Sequence, residues 1–275
     1  MAAEARPALV PPAQRPRQGR RRFAGARAIG ALMLREMATT YGRSPGGYLW
    51  AIIEPVAGIA VLTFAFGFLF AVPPMGTSFE LFYATGMMPF MLFTTITNRV
   101  SGALVFSKPL LSYPAVTYVD AIVARFIVNL LTELLVFYIV MIGILLFYDT
   151  RAVIDLGPIA ESLALAAVFG LGVGTFNAYL FLRWHTWHLI WSVISRPLFV
   201  ISGVFFTFGA MPHGMQAALW YNPLIHVVGT MRAGFYPGYD MDYVSPVYVI
   251  GVSLLLMVLG LRMMHWQVKT LLHER

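Results

Sequence analysis

The chain has 275 residues, of which 59% are hydrophobic and only 11% charged; its net charge is +7 and it has no cysteine. Charged residues make up about a quarter of an ordinary soluble domain, so the composition excludes one and indicates an integral membrane protein. The missing thiols exclude disulfides, thiol catalysis and Cys-ligated metal sites.

The first feature in chain order is a basic arm. Arg6, Arg15, Arg17, Arg20, Arg21, Arg22, Arg27, Arg35 and Arg43 all precede the first long apolar run. Residues 1–22 are rich in Pro, Arg and Ala and lack the apolar core of a secretory signal peptide. They are expected to form a disordered cytoplasmic tail whose partner is anionic lipid, not nucleic acid. Over residues 23–43, Phe23, Ala26, Ile29, Met33, Met37 and Tyr41 recur every three or four positions, with Arg27, Arg35 and Glu36 off that stripe. This spacing predicts an amphipathic helix lying in the headgroup layer. Ser44-Pro45-Gly46-Gly47 then breaks the helix and turns the chain into the bilayer.

Residues 44–275 read as one membrane domain of all-α class. A helix needs about 20 mostly apolar residues to cross the hydrocarbon core. Six stretches meet that length: Leu49–Ala71, Phe79–Thr97, Ala121–Phe147, Ile159–Leu182, Trp187–Phe208 and Tyr243–Met264. The N-terminal arm, the 98–120 connection with Arg99 and Lys108, Arg183, and the tail with Lys269 and Arg275 are basic. The alternate connections carry Arg151 and Arg232 against Glu80, Asp149, Asp155, Asp240 and Asp242. Basic loops stay inside, so both termini are expected in the cytoplasm. The interrupted stretch Gly209–Asp242, with Pro223, Arg232 and Pro237, then lies outside.

Several chemistries have no support. There is no G-x-x-x-x-G-K-[ST] phosphate loop, and the two lysines, Lys108 and Lys269, follow Ser107 and Val268. The run FGLGVGTFNAY at 169–179 sits inside a span, so Gly170 and Gly174 read as a close helix-packing motif and not a dinucleotide loop. No H-E-x-x-H or G-x-S-x-G occurs, and His185 and His188 among Trp184, Trp187 and Trp191 read as an interfacial belt. No catalytic, metal or cofactor site is expected in this chain.

Four charges fall within the expected spans: Glu54, Arg125, Glu133 and Arg196. Each costs about 2.5–3.5 kcal/mol at a helix centre on insertion scales, so each calls for a partner or a wet cavity. Arg125, a turn inside its span, is expected to snorkel. Glu54-Pro55 and Arg196-Pro197 lie at similar depth; either they pair, or Arg196 lines a route for an anionic or hydroxyl-rich substrate.

Three stretches then resemble a known family. They are LMLREMATTYGRSPGGYLWAIIEP (32–55), KPLLSYPAVTYVDAIVAR (108–125) and WYNPLIHVVGTMRAGFYPGYD (220–240). Together, in this order, they resemble the permease subunit of capsule polysaccharide ABC exporters of the KpsM type, within the type 2 ABC exporter superfamily. The resemblance covers residues 23–275. It implies a homodimeric permease in the bacterial inner membrane, paired with two copies of a cytoplasmic ATPase that binds ATP and Mg. It also implies periplasmic polysaccharide co-polymerase and outer-membrane partners. A coupling helix at about 107–118 would carry Lys108, Pro109, Tyr113 and Pro114, with Arg35 and Glu36 as further ATPase contacts. A re-entrant helical hairpin at about 212–240 would start at Pro212 and turn at Asn222-Pro223. Tyr48, Trp50, Glu54, Arg196, Trp220, Tyr221, Arg232, Phe235, Tyr236 and Tyr239 are the candidates for the translocation pathway or its mouth; for Arg232 the alternative is capping within the hairpin. The alternative functions are export of O-antigen, teichoic acid or a drug by the same architecture, and a membrane-embedded glycosyl- or acyltransferase.

Overall fold

A computed structural model of the chain describes residues 24–40, 46–111 and 116–273. Among these residues there is no β-strand. The helices are α1 (Ala24–Thr40), α2 (Gly47–Leu69), α3 (Phe79–Ser101), α4 (Ala103–Leu111), α5 (Tyr118–Phe147), α6 (Leu156–Arg183), α7 (Trp187–Ile201), α8 (His213–Leu219), α9 (Pro223–Ala233) and α10 (Pro246–His273). Their starts follow local chemistry. The Ser78 hydroxyl accepts the Leu81 N–H at 3.2 Å, and Thr117 and Asp120 form a reciprocal capping box. Asn222 caps α9 with Pro223 in its first turn.

Among the described residues, five stretches are long and apolar enough to cross a membrane: Leu49–Leu69, Phe79–Leu111, Tyr118–Phe147, Leu156–Arg183 and Pro246–Trp266. The stretch expected to form the fifth span differs. Its helix α7 has 15 residues, about 22 Å at 1.5 Å per residue, against a hydrocarbon thickness of about 30 Å. Ser202 leaves helical geometry and Gly203 has φ 85°, a backbone that residues with a Cβ rarely adopt, so the apolar run to Phe208 continues as turns. The 107–118 region also differs. Pro109 sits inside α4, which begins at Ala103 directly beyond the bend at Gly102.

α3 and α6 run parallel at the centre. The Phe93 and Phe169 rings stack with centroids 4.8 Å apart. A Cβ at Gly174 would lie 2.8 Å from the Cβ of Val100, and one at Gly170 would lie 3.0 Å from the Phe93 carbonyl. The G-x-x-x-G spacing therefore does what small residues do between membrane helices: it brings two backbones together. α10 covers another side of α6, where Gly172 meets Ser253 and Gly260 meets Phe176. α9 lies across the start of α6, with the Ser162 hydroxyl donating to the Val227 carbonyl at 2.7 Å. α2 and α7 stand apart from this core: 11% of the apolar stretch of α2 is buried against 72% of that of α3, and no residue of α7 is fully buried.

Candidate functional site

Two ends of the bundle carry the polar chemistry. At the α1 end, Arg125 is 8% exposed and its Nε donates to Glu36 Oε2 at 2.9 Å. Its Nη1 donates to the Arg99 carbonyl at 2.9 Å, and its guanidinium lies 4.2 Å from the centroid of Phe106. Arg125 thus turns inward and does not snorkel, because a carboxylate, a carbonyl and an aromatic face converge on it. Arg35 approaches the same ring, with its guanidinium 4.7 Å from the centroid. Phe106 of α4 is therefore held between two arginines, one from α1 and one from α5, and Lys108 and Pro109 continue the same helix. Arg35 and Glu36 come together here with Arg125 and Phe106, and Lys108 and Pro109 lie further along the helix that carries Phe106. Phe106 was missed because a lone phenylalanine in an apolar run carries no local signal. Tyr113 and Pro114 lie outside the described residues, as does the side chain of Tyr48.

The base of α7 is pinned at this end. Trp187 Nε1 donates to Asn177 Oδ1 at 3.0 Å, and Trp191 Nε1 donates to Asn98 Oδ1 at 3.2 Å. These indoles do more than form an interfacial belt, since each is tied to the end of a central helix.

At the opposite, hairpin end, Arg232 is 1% exposed. Its Nη1 donates to the Phe206 carbonyl at 2.6 Å, its Nη2 to the Val204 carbonyl at 3.1 Å, and its guanidinium lies 4.3 Å from the centroid of Phe82. Gly86 makes room for this: a Cβ there would lie 2.9 Å from Val204 Cα. Burial draws the Arg232 pKa down, and the field of Tyr239 opposes it. In this chain the guanidinium is enclosed, and its bonds hold the turns between α7 and α8. Phe235 and Tyr236 are also buried, while Tyr221 is exposed. Phe235, Tyr236 and Tyr239 line a cleft of about 320 Å³ together with Arg151 and with Thr77 and Thr150, which the sequence did not single out. Thr77 ties this cleft together by donating to the Asp149 carbonyl at 3.1 Å.

Trp220 organises the rest of the hairpin. Its Nε1 donates to the Tyr243 carbonyl at 3.0 Å and its ring stacks on Tyr248 at 5.1 Å. His226, buried beneath it, accepts the Ser245 N–H at Nδ1 (3.2 Å), so the proton sits on Nε2 and is donated to the Trp220 carbonyl at 2.8 Å. Burial depresses the His226 pKa below the ordinary imidazole value of about 6.5. The unfolded state therefore takes up a proton first, and the stability from this histidine is complete above that value and lost as pH falls below it. Thermal unfolding followed by tryptophan fluorescence should show a lower midpoint at pH 5.5 than at pH 7.5. In His226→Gln this difference should shrink; an unchanged pH slope would show that the imidazole is not responsible.

Trp50, Glu54 and Arg196 join neither group. All three are exposed, and Glu54 and Arg196 make no ion pair with each other.

Residues 27–236 match the model of the family described as ABC-2 type transporter. The chain is 29% identical over 233 residues to the polysialic acid transport protein KpsM of Escherichia coli, covering 85% of this chain and 90% of that one. It is 26% identical over 235 residues to the capsule polysaccharide export inner-membrane protein CtrC of Neisseria meningitidis, with 86% and 89% covered. Against the capsule polysaccharide export inner-membrane protein BexB of Haemophilus influenzae it is 28% identical over 239 residues, again with 86% and 89% covered. With the family model spanning most of an all-helical membrane chain, this protein belongs to the ABC-2 type transporter family.

Proposed function

We propose that the protein is the transmembrane subunit of an ATP-driven exporter that moves capsular polysaccharide from the cytoplasm across the inner membrane. The observation that carries this reading is near full-length similarity to several proteins named for polysialic acid transport or capsule polysaccharide export. Two copies form the path and two separate ATPase chains drive it, since this chain has no phosphate loop. Both termini lie in the cytoplasm, which makes the α1 end the face that meets the ATPase. There α4, gripped through Phe106 by Arg35 and Arg125, passes the push of the ATPase to α1, α3 and α5. Six crossings are completed by α7 with the turns that follow it, and α8 and α9 dip back from the outer face as a re-entrant pair. Backbone of that kind is tolerated only where protein or water covers it, and nine consecutive residues of α9, Leu224 to Arg232, are buried.

For cargo, the cleft of Tyr236, Tyr239, Thr77 and Arg151 offers aromatic faces, hydroxyls and one cation at the outer mouth. These are weak contacts of the kind a moving polymer requires. A second cleft of about 330 Å³ between α2 and α5 is lined by Ile52, Val56, Ile59 and Phe147 and suits the lipid anchor of a lipid-linked glycan.

Deletion of this gene in its own host should leave capsular polymer inside the cell, and the wild-type gene should restore surface polymer only when the ATPase is intact. The same deletion host should label Tyr221→Cys with an impermeant thiol reagent from outside. Surface polymer unaffected by the deletion would overturn the function, and labelling only after the cells are opened would overturn the orientation.

A further inference from the structure

Two exposed charges at membrane depth have no ion-pair partner among the described residues. Glu54 lies seven residues into α2 and Arg196 nine residues into α7, about 11 Å and about 14 Å from helix starts that both face the cytoplasm in the proposed orientation. Neither helix hides its charge against its own chain: both side chains are exposed, and α2 and α7 are the helices that the core leaves uncovered. Lipid cannot be the neighbour of either group, because an ionised side chain in hydrocarbon finds a partner or water.

The surroundings of Glu54 sharpen the point. Glu133 on α5 lies near enough to feel the charges of Glu54 and Arg99. Of these two carboxylates Glu54 is the exposed one, and it is the one open to a cation from outside its own chain. On α7, Arg196 is the one Lys or Arg. Glu54 is also about half a helical turn round α2 from Ile52 and Val56, which line the α2–α5 cleft. A neighbour at Glu54 would therefore leave that cleft open.

We propose that Arg196 of one copy pairs with Glu54 of a second copy, so that α7 of each protomer lies against α2 of the other. A twofold axis then makes two such pairs per dimer, as an isologous interface requires. Each exposed carboxylate meets the exposed cation of the opposite chain. The pair lies in the seam between the two halves, where any widening of the path would separate it. This inference rests on the homodimer of the proposed function and adds its register.

Because the natural chain has no cysteine, the pair can be tested by disulfide formation between differently tagged copies. Glu54→Cys on one copy and Arg196→Cys on the other should give an oxidised, mixed-tag dimer in strong excess over matched pairings of either variant with itself. The size of the untreated wild-type complex in nanodiscs, with its ATPase bound, is read in parallel. A two-permease complex without the mixed cross-link would overturn the pair and leave the homodimer standing; a complex with one permease would overturn both. Charge reversal gives the second measurement. Glu54→Arg and Arg196→Glu should each lower export about tenfold or more, the range of coupling seen for close interfacial charge pairs. The combined exchange should recover most of that loss. Export by the exchanged protein no better than by the worse single variant would also overturn the pair.

Discussion

Arg125→Leu should leave a chain that inserts but does not hold α1. The substitution takes from the Glu36 carboxylate, 2% exposed, the guanidinium that lies 2.9 Å away. Removing one member of a buried ion pair costs about 3–5 kcal/mol, because the remaining buried charge is no longer compensated as it was. The Arg99 carbonyl and the face of Phe106 lose the same cation. The expected result is a large drop in thermal midpoint, cleavage of the N-terminal segment by protease under conditions where the wild type is intact, and poor retention of the ATPase. Glu36→Leu combined with Arg125→Leu should recover much of the stability, since an apolar pair of similar volume often replaces a buried ion pair at little cost. Export should stay low in the double variant if the grip on Phe106 transmits motion. A single variant as stable as wild type would show that the pair does not fasten α1.

Arg232→Met should fail before any cargo is offered. It strands the Phe206 and Val204 carbonyls, 2.6 Å and 3.1 Å from the guanidinium. A buried acceptor left without a donor costs about 1–3 kcal/mol. Arg232→Lys should rescue little, because one ammonium cannot span two carbonyls as a planar fork does. The measurement is thermal unfolding of the purified permease without ATPase or polysaccharide. A low midpoint in both variants fits a residue that holds the α7–α8 turns. Wild-type midpoints with lost export would instead make Arg232 a contact for the polymer.

These two arginines also show where sequence reading stops. The long apolar stretches were legible because spans are selected for length and hydropathy, and α5, α6 and the α10 span fall within a few residues of the expected bounds. The helical pair α8 and α9 was legible from Pro212 and Asn222-Pro223, which act on their own backbone neighbours. Arg125 finds Glu36 from 89 residues away, and no local periodicity encodes that. Hydropathy also does not distinguish a helix that faces lipid from one that faces protein, so α2 and α3 read alike as spans although one is largely exposed and the other largely buried. The length of α7 was misjudged for a related reason: composition stays apolar past Ile201, and only the backbone at Ser202 and Gly203 shows that the helix has ended. On α1, one of the positions off the apolar stripe, Glu36, is the most enclosed among the described side chains, because its neighbour is a guanidinium and not a lipid tail.

The hydroxyls of α3 bear on how such a chain is made. A ribosome delivers α3 to the membrane before α6 exists, so for a time its Thr85 and Ser101 lack the helix they pack against in the core. Both are already satisfied at home: Thr85 donates to the Phe82 carbonyl at 2.9 Å and Ser101 to the Thr97 carbonyl at 2.6 Å. When α6 arrives, Ser101 is within 3.4 Å of the Gly174 carbonyl and Thr97 within 3.4 Å of the Gly170 carbonyl. Thr85 and Ser101 can therefore wait in lipid with their donors satisfied, while the Thr97 hydroxyl meets its acceptor on α6 only at docking. Insertion and assembly become separate steps in biogenesis, and the glycines of α6 mark where the second begins.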